Sequence, residues 1–438
     1  MNESSQKESN IRKVALTSLA GTSIEWYDFF LYGAAAGLVF PKLFFGEASP
    51  TTALILSFLT FAAGFIARPV GGIIFGHFGD LIGRKKTLVI ALMLMGVSST
   101  LIGLLPTYAT IGIAAPILLT LLRFAQGIAI GGQWGGAMLL VTESAPKEKR
   151  GYYGAFAQAG APIGVILANL AFITVGLFTN EESFLSWGWR IPFLASFVLI
   201  LISLYIQLKL EDTKAFQELE ATEGTKPQDS TVVKSSPILE AIKKYPKRIS
   251  LAAGAFLSVQ VTFYILIAFL LAYGVETTDM DRDDLLMAVL IGCAIMVPTQ
   301  FAFSSYSDRN GRKGVFMAGA ALTALWAFAI FPLMASGSFL YAVVAITIGL
   351  TFLGMMYGPQ AAFFAELFST EVRYSGASLG YQLGAIVGGA FAPTIATLLW
   401  TEYAIIWVSV YMALASVVSI ISVAMLTETY KVSLSDTG

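Results

Sequence analysis

Apolar runs of about 20 or more residues, the length a helix needs to cross ~30 Å of hydrocarbon, recur from one end of the chain to the other. They begin near Val14, Leu54, Thr87, Ile111, Tyr152, Ile191, Ile249, Leu285, Val315, Leu340, Tyr374 and Ala404, and each lasts until a charged or turn-rich break. The pattern predicts an all-α membrane protein with twelve transmembrane helices. One long polar segment, residues 210–246, interrupts it and leaves six runs on either side. The expected organisation is therefore an amino-terminal six-helix bundle at 1–208, a charged, partly helical or disordered linker at 209–248, and a carboxyl-terminal bundle at 249–438. The first run follows a short polar start without a small-residue cleavage site, so it is expected to remain in the mature chain.

Lysine and arginine fall on alternate loops. One set holds Lys7, Arg12, Lys13, Arg84, Lys85, Lys86, Lys147, Lys149, Arg150, the linker, Arg309, Arg312, Lys313, Arg373 and Lys431; the other holds only Lys42, Arg190 and Arg282. By the positive-inside rule, both termini and the linker are expected on the cytoplasmic side of the plasma (inner) membrane.

Composition agrees with the pattern. At 56% hydrophobic and 13% charged, the chain is too apolar for a soluble protein to cover. Its net charge of −1 singles out no partner class. The expected partners are a small-molecule substrate, protons and the lipid bilayer, with no nucleic acid, and the chain is read as a monomer. Cys293 is the one cysteine and lies in an apolar run, so there is no disulfide framework or thiolate metal site. The one histidine, His77, is read as a bystander in a loop. No nucleophile–base constellation, metal cluster or nucleotide loop is found, so neither an enzyme nor a cofactor is expected.

The two halves repeat. "GHFGDLIGRKK" (76–86) matches "SYSDRNGRKG" (305–314), and the E-x4-E-x-R spacing of Glu143, Glu148 and Arg150 returns in Glu366, Glu371 and Arg373. "GGQWG" ending at Gly135 and "QAGAPIG" from Gln158 find their echoes in "GMMYG" ending at Gly358 and "QLGAIVG" from Gln382. Duplicated halves around a midplane site are the build of many secondary transporters. With the strings "EWYDFFLYG", "ARPVGGIIFGHFGD", "RFAQGIAIGGQWGGA", "SWGWRIPF" and "AELFSTEVRYSGAS", the chain resembles the major facilitator superfamily, and within it the metabolite:proton symporters of shikimate, α-ketoglutarate, citrate and proline or betaine. Three positions depart from the pattern: Leu81 replaces the basic residue of the first loop motif, Ser304 the glycine of the second, and Gln133 the usual glutamate.

Charges inside the apolar runs are the candidate chemistry. Glu25 and Asp28, spaced i, i+3, share a helix face with Tyr32 one turn on, at about 16–21 Å into the first span by 1.5 Å per residue. Arg68 and Arg123 reach similar depth in the second and fourth spans. A charge at the bilayer centre costs a few kcal/mol or more unless paired or hydrated, so all four are expected to face the interior, as structural ion pairs or as an ion and substrate pathway. Arg123, Gln126, Ile130 and Gln133 line one helix face, beside a track of Gly127, Gly131 and Gly135 that lets a neighbouring helix approach; Gly33 and Gly37 are read the same way. The second half offers neutral polar groups instead: Gln260, Tyr264, Gln300, Tyr357, Gln360, Tyr381 and Gln382.

These residues suggest proton coupling at Glu25 and Asp28. Substrate contacts are expected from Arg68 and Arg123, with Tyr32, Gln133, Trp134 and Gln158, and from the polar residues of the second half. The resemblance adds a gate: Asp80 looks like the family's gating aspartate, and Arg84, Lys85, Glu143 and Arg150, mirrored by Asp308, Arg309, Arg312, Glu366 and Arg373, would form cytoplasmic ion pairs that break as the halves rock. The favoured function is proton-coupled symport of a small organic acid by alternating access. The alternatives are a zwitterionic osmolyte such as proline or betaine, met by the acids and by Tyr27, Trp134 or Tyr357 through cation–π contacts, and a non-transporting membrane sensor.

Overall fold

The computed structural model describes the backbone of residues 3–82, 84–131, 134–211, 237–369 and 372–432; among these, the side chains of 3–10, 76–82, 84–88, 134–137, 140, 206–207, 209–211 and 237–240 lie outside the described residues. Every regular element among the described residues is helical. Among the described residues nine helices are long and apolar enough to cross a membrane, and the pair Glu181–Gly188 with Arg190–Tyr205, bent by 44°, makes a tenth. The remaining two expected spans are the helices Glu3–Leu38 and Arg84–Leu104. The first includes the polar start and carries Glu25 and Asp28, which lower its hydropathy; the third has a shorter apolar stretch, Val89–Leu104.

Two sequence expectations shift. The first helix starts at Glu3, well before the apolar run, and continues for 36 residues. Its polar start lacks proline and glycine, so nothing breaks it before the membrane. His77 and Asp80 are not in a loop: the second helix, Pro50–Ile82, continues through both, and the next begins at Arg84.

The packing is duplicated. In the first half the first span lies against the fifth (Arg150–Gly176), the second against the fourth (Ala114–Gly131) and the third against the sixth (Arg190–Glu211). The second half repeats these pairings with the seventh span (Pro246–Thr277) on the eleventh (Arg373–Glu402), the eighth (Arg282–Asn310) on the tenth (Phe339–Glu366) and the ninth (Arg312–Met334) on the twelfth (Ile406–Met425). The seam follows the same symmetry, since the fifth span meets the eighth and the second meets the eleventh.

The glycine track does what its spacing predicts. A Cβ on Gly127 would stand 2.1 Å from the Gly64 carbonyl oxygen, and one on Gly131 would stand 1.9 Å from that of Arg68. The second and fourth spans thus touch backbone to backbone, which brings Arg68 and Arg123 together. In the second half the helices loosen near the centre. π-Helical turns occupy Ile265–Phe269, just after Tyr264, and Ala385–Ala390, just after Tyr381 and Gln382. Such turns often mark functional sites because they re-aim the side chains beside them.

Candidate functional site

At the centre of the first half, one face of the fourth span aims Arg123 and Gln126 at the first and third spans. Arg123 Nη1 donates to Gln126 Oε1 at 3.1 Å, and Gln126 Nε2 donates to Ser99 Oγ at 2.7 Å. Asp28 is fully buried beside them, facing Ser99, Ser196 and Arg123. The hydroxyls fall short of formed hydrogen bonds, and both carboxylate oxygens remain without a partner. Glu25, three residues earlier, is only half-buried.

The arginines are held by aromatic faces rather than by acids. The Arg123 guanidinium lies 4.0 Å from the Phe29 ring centroid, 4.4 Å from Tyr32 and 4.7 Å from Phe61. Arg68 lies 4.4 Å from Phe29, 4.4 Å from Phe65 and 5.4 Å from Trp26. Desolvated cation–π contacts contribute about 2 kcal/mol, enough to hold a guanidinium but not to neutralise it. Nε and Nη2 of both arginines have no hydrogen-bond partner. Two fully buried cations, of which Arg123 is next to Asp28, thus share the region with one fully buried carboxylate, an arrangement whose electrostatics favour a further anion.

The second half faces this cluster with tyrosines. Tyr264 and Tyr381 lie within hydrogen-bonding reach of Arg68, and Tyr357 feels its charge. Trp26, Phe30, Gln260, Phe263, Tyr264, Tyr357 and Tyr381 line a cavity of about 10 Å³ between the halves. Tyr32 donates to Thr60 Oγ1 at 2.7 Å, and Gln158 Nε2 donates to the Tyr357 carbonyl at 3.1 Å across the seam. Gln300 and Gln360 are buried with unpartnered amide atoms, and Gln382 keeps an unpartnered Oε1. The side chains of Gln133 and Trp134 lie outside the described residues.

Side-chain contacts cross the seam at both ends. On the linker face Glu366 receives Arg150 at 3.1 Å, Arg312 at 3.2 Å and the Thr429 hydroxyl at 2.7 Å. Asp308 pairs with Arg312 at 2.7 Å and accepts the backbone N–H groups of Gly151 at 2.7 Å and Tyr152 at 2.9 Å. Arg373 reaches Glu143 at 2.9 Å. Arg309 is exposed, and none of these bonds includes it. The side chains of Asp80, Arg84 and Lys85 lie outside the described residues.

The opposite face holds contacts that the sequence reading did not single out. Arg282 pairs with Glu181 at 3.0 Å and lies 3.6 Å from the Phe184 ring centroid, and Asn169 Nδ2 donates to the Leu286 carbonyl at 3.0 Å. Only the isolated basic residue in a loop set poor in Lys and Arg hinted at it. Ser99, Ser196 and Phe29 were also missed. Hydroxyls and rings inside apolar runs carry no pattern that separates a site residue from packing.

The sugar (and other) transporter family model matches residues 13–437. The inner membrane metabolite transport protein YhjE of Escherichia coli K12 is 40% identical over 430 residues, 96% of this chain and 95% of that protein. The shikimate transporter of the same strain is 39% identical over 411 residues, 92% and 91% of the two chains. The proline/betaine transporter of Salmonella typhimurium is 33% identical over 439 residues, 96% and 84%. Among solved structures, a D-xylose-proton symporter superposes with TM-score 0.72 at 16% identity, covering 96% of this chain and 99% of the other, and a partially occluded, inward-open xylose transporter XylE from E. coli with TM-score 0.70 at 18% identity, covering 97% and 100%. These last two share the fold.

Proposed function

The chain belongs to the sugar (and other) transporter family, and from that premise we propose that it is a proton-coupled symporter of a small organic acid, working by alternating access in the plasma (inner) membrane with both termini cytoplasmic. The observation that carries this reading is the pair of buried guanidiniums, Arg68 and Arg123, each with two unpartnered nitrogens, with the buried carboxylate of Asp28 next to Arg123. A substrate carboxylate takes the free guanidinium edges. Protonation of Asp28, with Glu25 as the nearby relay, removes the competing negative charge. Proton and anion then bind better together than apart, and the coupling is reciprocal. The linker-face cluster and the Arg282–Glu181 pair open in turn as the 1–208 and 249–438 halves rock in a monomer.

Uptake of radiolabelled organic acids into proteoliposomes tests this. Accumulation should follow an inwardly directed proton gradient, and uptake indifferent to that gradient would sink the proton coupling. A second reading is transport of a zwitterionic osmolyte. It is favoured by the aromatic wall of Trp26, Phe30, Phe263 and Tyr264, which suits a quaternary ammonium. Competition of unlabelled shikimate against unlabelled betaine separates the two.

A further inference from the structure

Away from the central site, a recess of about 570 Å³ opens on the linker face where the first, fifth and eighth spans meet. Its lining includes Arg12, Lys149 and Arg309 together with Glu148 and Asp308. The lining thus carries three cations and two carboxylates, and Asp308 is engaged by Arg312 and by the Gly151 and Tyr152 N–H groups. Apart from Ser305, the rest of the lining is apolar or aromatic: exposed Leu16 and Tyr152, partly buried Phe156 and buried Tyr153. Leu16 is 57% exposed, as is Tyr306, next to the lining residue Ser305. Basic groups at the end of membrane helices, above apolar side chains that point outward, match a lipid in both its parts: a phosphate at the interface and a hydrocarbon chain below it.

We propose that this recess binds an anionic phospholipid, its phosphate diester held by Arg12, Lys149 and Arg309 and its acyl chain lying along Leu16, Tyr152 and Phe156. A free phosphate ion would use the cations but leave the apolar wall idle. The recess draws on both halves, with Arg12 and Lys149 from the first and Arg309 from the second, so the lipid bridges the seam. It also gives Arg309 a role outside the buried ion pairs.

The test is native mass spectrometry of the full chain released from nanodiscs containing equal phosphatidylglycerol and phosphatidylcholine. The wild type should retain a phosphatidylglycerol adduct in preference to phosphatidylcholine, and Arg12→Gln with Arg309→Gln should lower it at least tenfold. Lys243→Gln with Lys247→Gln, which removes the same charge from exposed positions elsewhere on that face, should leave it intact. Equal retention by the first double variant and the wild type, equal retention of the two lipids, or equal loss in both double variants would overturn the proposal. Displacement of the lipid by an equal concentration of inorganic phosphate would reassign the recess to a free anion and overturn it too. The substituted side chains are exposed; should the Arg12/Arg309 variant aggregate, Lys149→Gln alone carries the same expectation.

Discussion

Arg150 and Glu366, 216 positions apart in the chain, meet at 3.1 Å across the seam between the two halves. Glu366 also holds Arg312, which it shares with Asp308, so it is the one carboxylate that joins both buried guanidiniums. Removing one partner of a buried pair costs about 3–5 kcal/mol, since the other charge is left uncompensated. Glu366→Gln should therefore open the linker face. In a Cys293→Ser background, Ala361→Cys, buried where a Cβ on Gly154 would stand 3.2 Å away, reports the opening. Its thiol labelling should rise at least about tenfold, which corresponds to ~1.4 kcal/mol. An unchanged labelling rate would remove Glu366 from the closure.

The opposite face should respond less. Arg282 and Glu181 pair at 3.0 Å, but with side chains 14% and 60% exposed, solvent screens them. Exposed pairs contribute about 0.2–1 kcal/mol. Arg282→Gln should raise labelling of a Leu286→Cys reporter by no more than about fivefold, less than the Glu366 effect on its own face. The reverse ranking would show that the electrostatic weight lies on the Arg282 side.

Asp28→Asn tests the coupling directly. The amide keeps the shape and still faces Ser99 and Ser196, but it cannot release a proton. Gradient-driven accumulation should be lost while substrate exchange persists, because exchange needs the guanidiniums and not net proton movement. Full accumulation by this variant would move the coupling to Glu25 or beyond.

The hydrophobic pattern was enough for the helices and the repeat, because membrane spans must be long and apolar and their breaks must be polar. The charged candidates were legible for the same reason: Asp28, Arg68 and Arg123 stand out in runs that otherwise exclude charge. What the chain did not show was how they are satisfied. One of the two expectations was structural ion pairs between acids and arginines, whereas Arg123 is seated on Phe29, Tyr32 and Phe61. Aromatic residues are common in any membrane span, so nothing in their spacing separates a guanidinium platform from ordinary packing. Contacts between the halves were legible only where the repeat supplied a mirrored pair. The Asn169 to Leu286 bond joins a side chain to a backbone carbonyl and leaves no trace in the pattern of charges.

The seat of Arg123 gives the sharpest test of the anion site. A Cβ on Gly64 would stand 2.6 Å from Arg123 Nε and 3.1 Å from its Cζ, too close for the guanidinium to stay on its rings. Gly64→Ala adds one methyl, lies in a helix that accepts alanine, and touches the flexible end of a side chain rather than backbone. It should leave the fold intact and move the guanidinium. Arg123→Lys removes the planar fork and its aromatic stacking while keeping the charge. Losing even one desolvated cation–π contact, about 2 kcal/mol, corresponds to more than tenfold in affinity. Both variants should raise the substrate concentration for half-maximal uptake by at least about tenfold, with melting temperatures near the parent's. Gly127→Ala is the control, because its Cβ would meet the Gly64 carbonyl at 2.1 Å and must push two helices apart. That variant should lose thermal stability along with transport. If Gly64→Ala and Arg123→Lys both keep the parent's apparent affinity, the substrate anion is not held by Arg123.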